Sequence, residues 1–335
     1  MTFPRRRTAA ALAVLALPLA ACSTGDADAA PDGRTEVQAA LYPLQWVAEQ
    51  VGGEHVTVSS ITPAGVDPHD LELAPATVAE LDGATVVYLS GFQAALDDAL
   101  AVTSPAHALD VADAAGVHDD GEDPTTDAHD DEHATDAQDE EHATDAHDGG
   151  DEAAEDSHAG HSHADGDPHF WLDPGRMADV ATAVADELAD ADPDHAADYR
   201  SNAEELGAEL AALDEELTAG LARCEIRTIV VAHEAYGYLA EAYGLEQVGI
   251  SGLDPESEPS PARLAEIGDV VERENVTTIF TESLINPAVA ESLAADLGVD
   301  VAVLDPLETQ ADADEEYPDV MRANLDALTT ALRCS

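Results

Sequence analysis

The sequence predicts an α/β protein of two lobes, each a mainly parallel sheet flanked by helices, joined by one long rigid helix. Three observations predict it. Short β-rich runs alternate with helical stretches from residue 36 to residue 111, and such alternation implies parallel strands with helices on their faces. The same alternation returns after Cys224. Between the two halves, Leu206, Leu210, Leu213, Leu217 and Leu221 recur at three- and four-residue steps, the period of a helix with one apolar stripe.

The elements follow in order. Glu36–Leu41 reads as a strand, Leu44–Val51 as a helix, Val56–Ile61 as a strand and Pro75–Leu81 as a short helix. Thr85–Leu89 is a strand, Gln93–Ala101 a helix and Ala108–Val111 the last strand of the first lobe. A helix from Gly175 to Ala189 follows. The long helical pattern runs from Pro193 to Ala222, with Pro at its start and Gly220 near its end. In the second lobe the strands are Arg227–Ala232, Gln247–Ile250, Val276–Phe280 and Val301–Leu304. The helices are Ala235–Tyr243, Pro261–Arg273, Pro287–Leu297 and Tyr317–Leu332.

Charge narrows the function. The 335 residues hold 72 acidic side chains against 12 basic ones, all Arg, for a net charge of −60. Nucleic acid is excluded as a partner, because phosphates need Lys and Arg to neutralise them. An anionic lipid patch is excluded on the same ground. A surface this acidic suits cations, and equally suits a salt-adapted protein.

The N-terminus reads as an address. Arg5, Arg6 and Arg7 precede an apolar stretch from Ala9 to Ala21, too short for a stable span and typical of a secretory signal. Leu19-Ala20-Ala21-Cys22 resembles a bacterial lipobox, which implies that Cys22 carries lipid and begins the mature chain. Residues 22–34 then form a flexible tether, and the protein is held outside the cytoplasmic membrane. In that oxidising compartment Cys224 and Cys334 are expected to pair as a disulfide. The domains are therefore a signal at 1–21, the tether at 22–34, a first lobe at 35–190, a linker helix at 191–223 and a second lobe at 224–335.

Residues 118–167 interrupt the first lobe. They contain 20 Asp or Glu, eight His and no Lys or Arg, with a nine-residue repeat from Thr126. Nothing in them can form a core, so disorder is expected. Their histidines (His118, His129, His133, His142, His147, His158, His161 and His163) read as an auxiliary, low-affinity collector of cations.

Six histidines lie outside this loop. In open α/β sheets, ligands bind beyond the carboxyl ends of the strands. His69 lies in the loop after the second strand. His233 directly follows the strand ending at Ala232, and Asp305 directly follows the strand ending at Leu304. His169 sits in a Pro-flanked turn opening a helix. Three imidazoles and one carboxylate suit a borderline-soft dication such as zinc, which takes four N, S or O donors in a tetrahedron. Glu282, at the end of another strand, is an alternative fourth donor or a residue that holds a His by hydrogen bonding. His55, His107 and His195 read as surface or cap residues.

The segments Val66-Asp67-Pro68-His69-Asp70-Leu71-Glu72, Pro168-His169-Phe170-Trp171-Leu172-Asp173-Pro174, Ala232-His233-Glu234-Ala235-Tyr236-Gly237-Tyr238 and Leu304-Asp305-Pro306-Leu307 occur in this order, with Gly249-Ile250-Ser251-Gly252-Leu253-Asp254-Pro255-Glu256 between the last two. Together they resemble the metal-binding solute-binding lipoproteins of bacterial ABC transporters, in their zinc-uptake branch. The resemblance spans nearly all of residues 36–334. It implies a zinc ion held between the lobes by His69, His169, His233 and Asp305, a membrane permease as partner, a monomer, and no enzymatic activity. Manganese-selective relatives tend to replace one His by Glu, so retention of all three favours zinc, with uptake of manganese or another divalent metal, or a surface zinc buffer, as alternatives. A zinc hydrolase with Glu234 as base is the reading from another class. No His-Glu-x-x-His motif supports it.

Overall fold

The computed structural model describes residues 33–117, 166–283, 286–312 and 314–335. The signal stretch, Cys22, most of the tether and the eight loop histidines lie outside the described residues. No described helix is long and apolar enough to cross a membrane.

The first lobe runs β1 (Thr35–Ala39), α1 (Tyr42–Gly52), β2 (Val56–Ser60), α2 (Pro75–Glu80), β3 (Thr85–Tyr88), α3 (Ala94–Leu100), β4 (His107–Asp110) and α4 (Ala112–Ala115). Helices α5 (Pro174–Ala191) and α6 (Ala196–Leu221) follow. The second lobe runs β5 (Thr228–Val231), α7 (Gly237–Tyr243), β6 (Glu246–Gly249), α8 (Pro261–Glu274), β7 (Thr278–Thr281), α9 (Ala288–Leu297), β8 (Asp300–Val303) and α10 (Tyr317–Ala331). Each lobe has one four-stranded sheet, ordered β2-β1-β3-β4 and β6-β5-β7-β8, and every pairing is parallel.

The two sheets share one topology, and it dictates where a ligand can sit. Strand order reverses between β1 and β3 in the first lobe and between β5 and β7 in the second. Loops leaving the carboxyl ends of two strands at such a reversal run to opposite sides, and a crevice opens between them. Thr228–Val231 and Thr278–Thr281 are buried along their whole length, as inner parallel strands covered on both faces must be.

Local chemistry sets the helix limits. Pro174 opens α5, and the Asp173 carboxylate accepts from the Gly175 N–H at 2.8 Å to cap it. Ser260 caps α8 by accepting from Arg263 N–H, and the helix stops at Asn275, which has φ +56°. The expected long helix is broken once. Pro193–His195 forms a 3₁₀ turn, and α6 starts after it.

Helix α6 buries the predicted leucine stripe and touches both lobes. Near its start, the Asn202 amide donates to the Val51 carbonyl of α1 at 2.9 Å. Farther on, Asp214 accepts from the Tyr243 hydroxyl at 3.0 Å, and Glu216 pairs with Arg322 of α10 at 2.8 Å. One apolar core runs from Val37 in the first lobe through Leu213 to Leu328 in the second. The lobes also meet directly. Trp46 stacks on Tyr317 with ring centroids 4.7 Å apart, and the Tyr317 hydroxyl donates to the Trp171 carbonyl at 2.6 Å. Cys224 and Cys334 form a disulfide, as expected. It closes the second lobe before β5 begins, at the end of the sheet opposite the crevice.

Candidate metal centre

Four side chains converge where the carboxyl ends of the two sheets face each other: His69, His169, His233 and Glu308. Their donor atoms all lie within 4.8 Å of one another. His69 is presented by a short 3₁₀ turn, Pro68–Asp70, in the loop after β2. The Asp67 carboxylate caps that turn by accepting from the His69 N–H at 2.8 Å. His169 stands just before a similar turn, Phe170–Leu172. Asp167 accepts from its N–H at 3.0 Å and contacts its Nδ1 at 2.7 Å. His233 leaves the end of β5, and its Nδ1 lies 2.6 Å from Glu282 at the end of the neighbouring β7.

The carboxylate beside the three imidazoles is Glu308, not Asp305 or Glu282. The sequence points to Asp305, a strand-end residue that the family resemblance also implies, with Glu282 at another strand end as the alternative. In the structure Asp305 Oδ2 accepts from the Ser283 hydroxyl at 2.9 Å and Oδ1 from the Leu307 N–H at 2.8 Å. Its backbone is held from both sides by the amide of buried Asn324. Asp305 thus builds a tight turn. The turn forces Leu307 to φ +60°, a left-handed conformation that costs an L-residue about 1 kcal/mol. It delivers Glu308, three residues on, to the imidazoles. Glu282 takes the second part foreseen for it and holds His233.

The distances have the scale of a zinc tetrahedron. Donors about 2.0–2.1 Å from zinc stand roughly 3.3 Å apart along each edge. Glu308 Oε1 lies 3.3, 3.0 and 3.3 Å from the Nε2 atoms of His69, His169 and His233. His233 Nε2 is buried and has no aligned hydrogen-bond partner, the state of a lone pair aimed at a cation. The tautomers agree. Carboxylates at Asp167 and Glu282 fix the proton of each neutral ring on Nδ1, which leaves Nε2 free to coordinate.

The electrostatics agree as well. Burial by itself would lower the His169 and His233 pKa values. Hydrogen bonds to Asp167 and Glu308 raise the first on balance, while the hydrogen bond to Glu282 and the nearby Glu308 carboxylate push the second up to about 10. Burial would likewise raise Glu308, yet the three imidazoles hold it well below the usual carboxylate range. Burial raises Glu282, partly offset by His233. The group behaves as a buried anionic point that demands positive charge. Protons fill that demand when no metal does.

His169 and His233 are fully buried, whereas the His69 side chain is 16% exposed, so the group is approached past His69. Beside it lies a cavity of about 520 Å³ between the lobes, walled by Asp67, Glu256, Glu282 and Asp305 among others. Carboxylates at its wall suit an incoming dication. Glu234 is not among the four; it lies 3.5 Å from Arg263. His55, His107 and His195 pair instead with Asp198, Glu187 and Asp192.

Sequence reasoning missed Glu308 and Asp167. A signal for Asp167 was present, since Asp-Pro-His occurs at 67–69 and again at 167–169.

Comparison with known proteins places this architecture. The family described as zinc-uptake complex component A, periplasmic, matches residues 37–331, and the chain belongs to it. The zinc-binding lipoprotein AdcA of Streptococcus pneumoniae serotype 4 is 33% identical over 321 residues, covering 93% of this chain and 58% of its own length. The chain thus spans little more than half of the AdcA relatives it matches. The high-affinity zinc uptake system protein ZnuA of Bacillus subtilis is 30% identical over 331 residues, covering 96% of both chains. The crystal structure of the Zn(II)-bound ZnuA-like domain of Streptococcus pneumoniae AdcA superposes with a TM-score of 0.66 at 27% identity, over 90% of this chain and 99% of that one.

Proposed function

We propose that this protein is the extracytoplasmic zinc-capture component of an ABC transporter, tethered to the membrane through lipid on Cys22 and acting as a monomer. Its cargo is one Zn²⁺ held by His69, His169, His233 and Glu308, which it delivers to a membrane permease. The observation that carries this reading is the buried three-imidazole, one-carboxylate group at the junction of the lobes. The names of the relatives support it.

The donor chemistry favours zinc over manganese, which prefers oxygen ligands. Four protein donors fill a tetrahedral shell, and a catalytic zinc keeps a position open for water. Glu234, the base that the hydrolase reading names, lies against Arg263 instead. The seam of Trp46, Trp171 and Tyr317, together with α6, opposes wide separation of the lobes. Release on the permease then proceeds by local withdrawal of a donor rather than by a large hinge motion.

The test is metal content by mass spectrometry with competition titration, on the mature chain and on a chain lacking residues 118–165. One tight equivalent should survive loop deletion and vanish when His69, His169 and His233 all become Ala. Zinc retained tightly by the triple variant without the loop would overturn the site. Cells lacking the protein should stop growing in zinc-chelated medium and recover with the wild type but not with His169→Ala. Recovery with that variant would overturn the transport role.

A further inference from the structure

Glu308 is the one donor that no carboxylate, cap or neighbouring strand holds directly. Its position depends on the turn Leu304–Leu307, and that turn is fastened from the other lobe. The Trp171 indole Nε1–H donates to the Pro306 carbonyl at 2.7 Å, two residues before Glu308. Trp171 is fully buried, and its ring lies edge-on to His169 with centroids 5.2 Å apart. Its own carbonyl is tied to the Tyr317 hydroxyl. On the other side of the turn, the Tyr236 hydroxyl donates to the Leu304 carbonyl at 2.7 Å. A left-handed Leu307 stands between the two fastened carbonyls and the donor.

We propose that Trp171 is a positioning residue for Glu308. Its indole N–H is a clamp between the lobes that locks the turn with the carboxylate facing the three imidazoles, and breaking it frees Glu308 to withdraw. This rests on the reading of Glu308 as a zinc donor. The clamp joins His169, two residues from Trp171 in the first lobe, to Glu308, two residues from Pro306 in the second. A small shift between the lobes therefore registers as a change in one donor. A buried neutral hydrogen bond is of a size to change affinity several-fold without abolishing binding.

The experiment is a double-mutant cycle on the full mature chain, with zinc affinity from chelator competition and dissociation rate from stopped flow. Trp171→Phe keeps an aromatic ring against His169 and removes the donor together with part of the indole's packing, which the cycle separates. It should weaken zinc binding about fivefold to tenfold, mainly through faster dissociation. In the Glu308→Ala background the same substitution should change affinity less than twofold. An equal loss in both backgrounds would show that Trp171 acts through His169 or general packing, and would overturn the clamp. If Glu308→Ala itself leaves affinity unchanged, the donor assignment fails and the clamp with it. Should Trp171→Phe not fold, hydrogen exchange of the Trp171 indole N–H gives the same reading, with Trp46→Phe identifying the signal. Zinc should increase its protection in the wild-type background and not with Glu308→Ala. Equal protection in both would overturn the proposal.

Discussion

The two lobes share a strand order but hold their donors differently. In the first lobe both histidines come from the tripeptide Asp-Pro-His, and in both the Asp accepts from the His N–H, at 2.8 Å for Asp67 and 3.0 Å for Asp167. Proline fixes one φ angle and the carboxylate closes a turn, so three consecutive residues contain most of the information that orients the donor. The second lobe uses distant residues. Glu282 holds His233 from 49 positions away, and Glu308 depends on a turn reached from Trp171, 135 positions from Pro306. One lobe carries donors oriented locally, and the other carries donors oriented by the assembled tertiary structure. Of the second lobe's donors, Glu308 is the one whose turn is fastened from the other lobe.

The largest expected effect tests whether this dependence extends to the closure of the second lobe. The Cys224–Cys334 bond spans 110 residues. A cross-link of that loop length restricts the unfolded chain by about 4–5 kcal/mol. Replacing both Cys by Ser should lower the unfolding free energy by up to that amount, read as an earlier urea midpoint of the metal-free protein. Because the bond lies at the end of the sheet opposite the crevice, zinc affinity in native buffer should stay within about threefold. A parallel collapse of affinity would mean that His233 and Glu308 depend on the whole lobe rather than on their immediate neighbours.

The next effect is of pH. Hydrogen bonding to carboxylates raises the pKa of both buried imidazoles, and that of His233, about 10, puts a proton on its ring at neutral pH in the metal-free site. In the metal-free protein the His233 contribution to stability is fully present below about 6.5 and is lost as pH rises through about 10. Zinc must expel that proton, so its affinity should fall as pH falls, about tenfold per unit for each proton released. Calorimetry at pH 7 in two buffers of different ionisation enthalpy should detect at least one proton released per zinc. No release would contradict the protonation assigned to the site.

These differences explain what the sequence could and could not reveal. The parallel sheets, the leucine stripe of α6 and the three histidines were legible because each rests on local periodicity or on a donor beside a strand end. Leu206, Leu210, Leu213, Leu217 and Leu221 are all buried as their spacing required. Glu308 was not legible. Nothing in Asp305-Pro306-Leu307-Glu308 says that Asp305 will spend both carboxylate oxygens on Ser283 and on its own turn, since the Ser283 partner is fixed only when β7 and β8 pair. The roles of Glu282 and Trp171 were hidden likewise, because each acts across a contact between elements far apart in the chain.

The smallest effects discriminate most finely, because they compare two copies of one motif. Asp167 contacts both the backbone N–H and the ring Nδ1 of His169. Asp67 is bonded to His69 through the backbone N–H. Removing the charge from a carboxylate that polarises a ligating imidazole costs about 10–100-fold in metal affinity. Asp167→Asn should fall in that range, as should Glu282→Gln in the second lobe. Asp67→Asn leaves an amide oxygen that can still cap the Pro68–Asp70 turn, and it removes a charge that the His69 ring does not use for its tautomer. Its affinity loss should be no more than about threefold. Competition titration of the three variants reads the order directly. If Asp67→Asn cost as much as Asp167→Asn, the two tripeptides would hold their histidines in the same way, and the distinction within the first lobe would reduce to burial, with His169 enclosed and His69 partly open to the cleft.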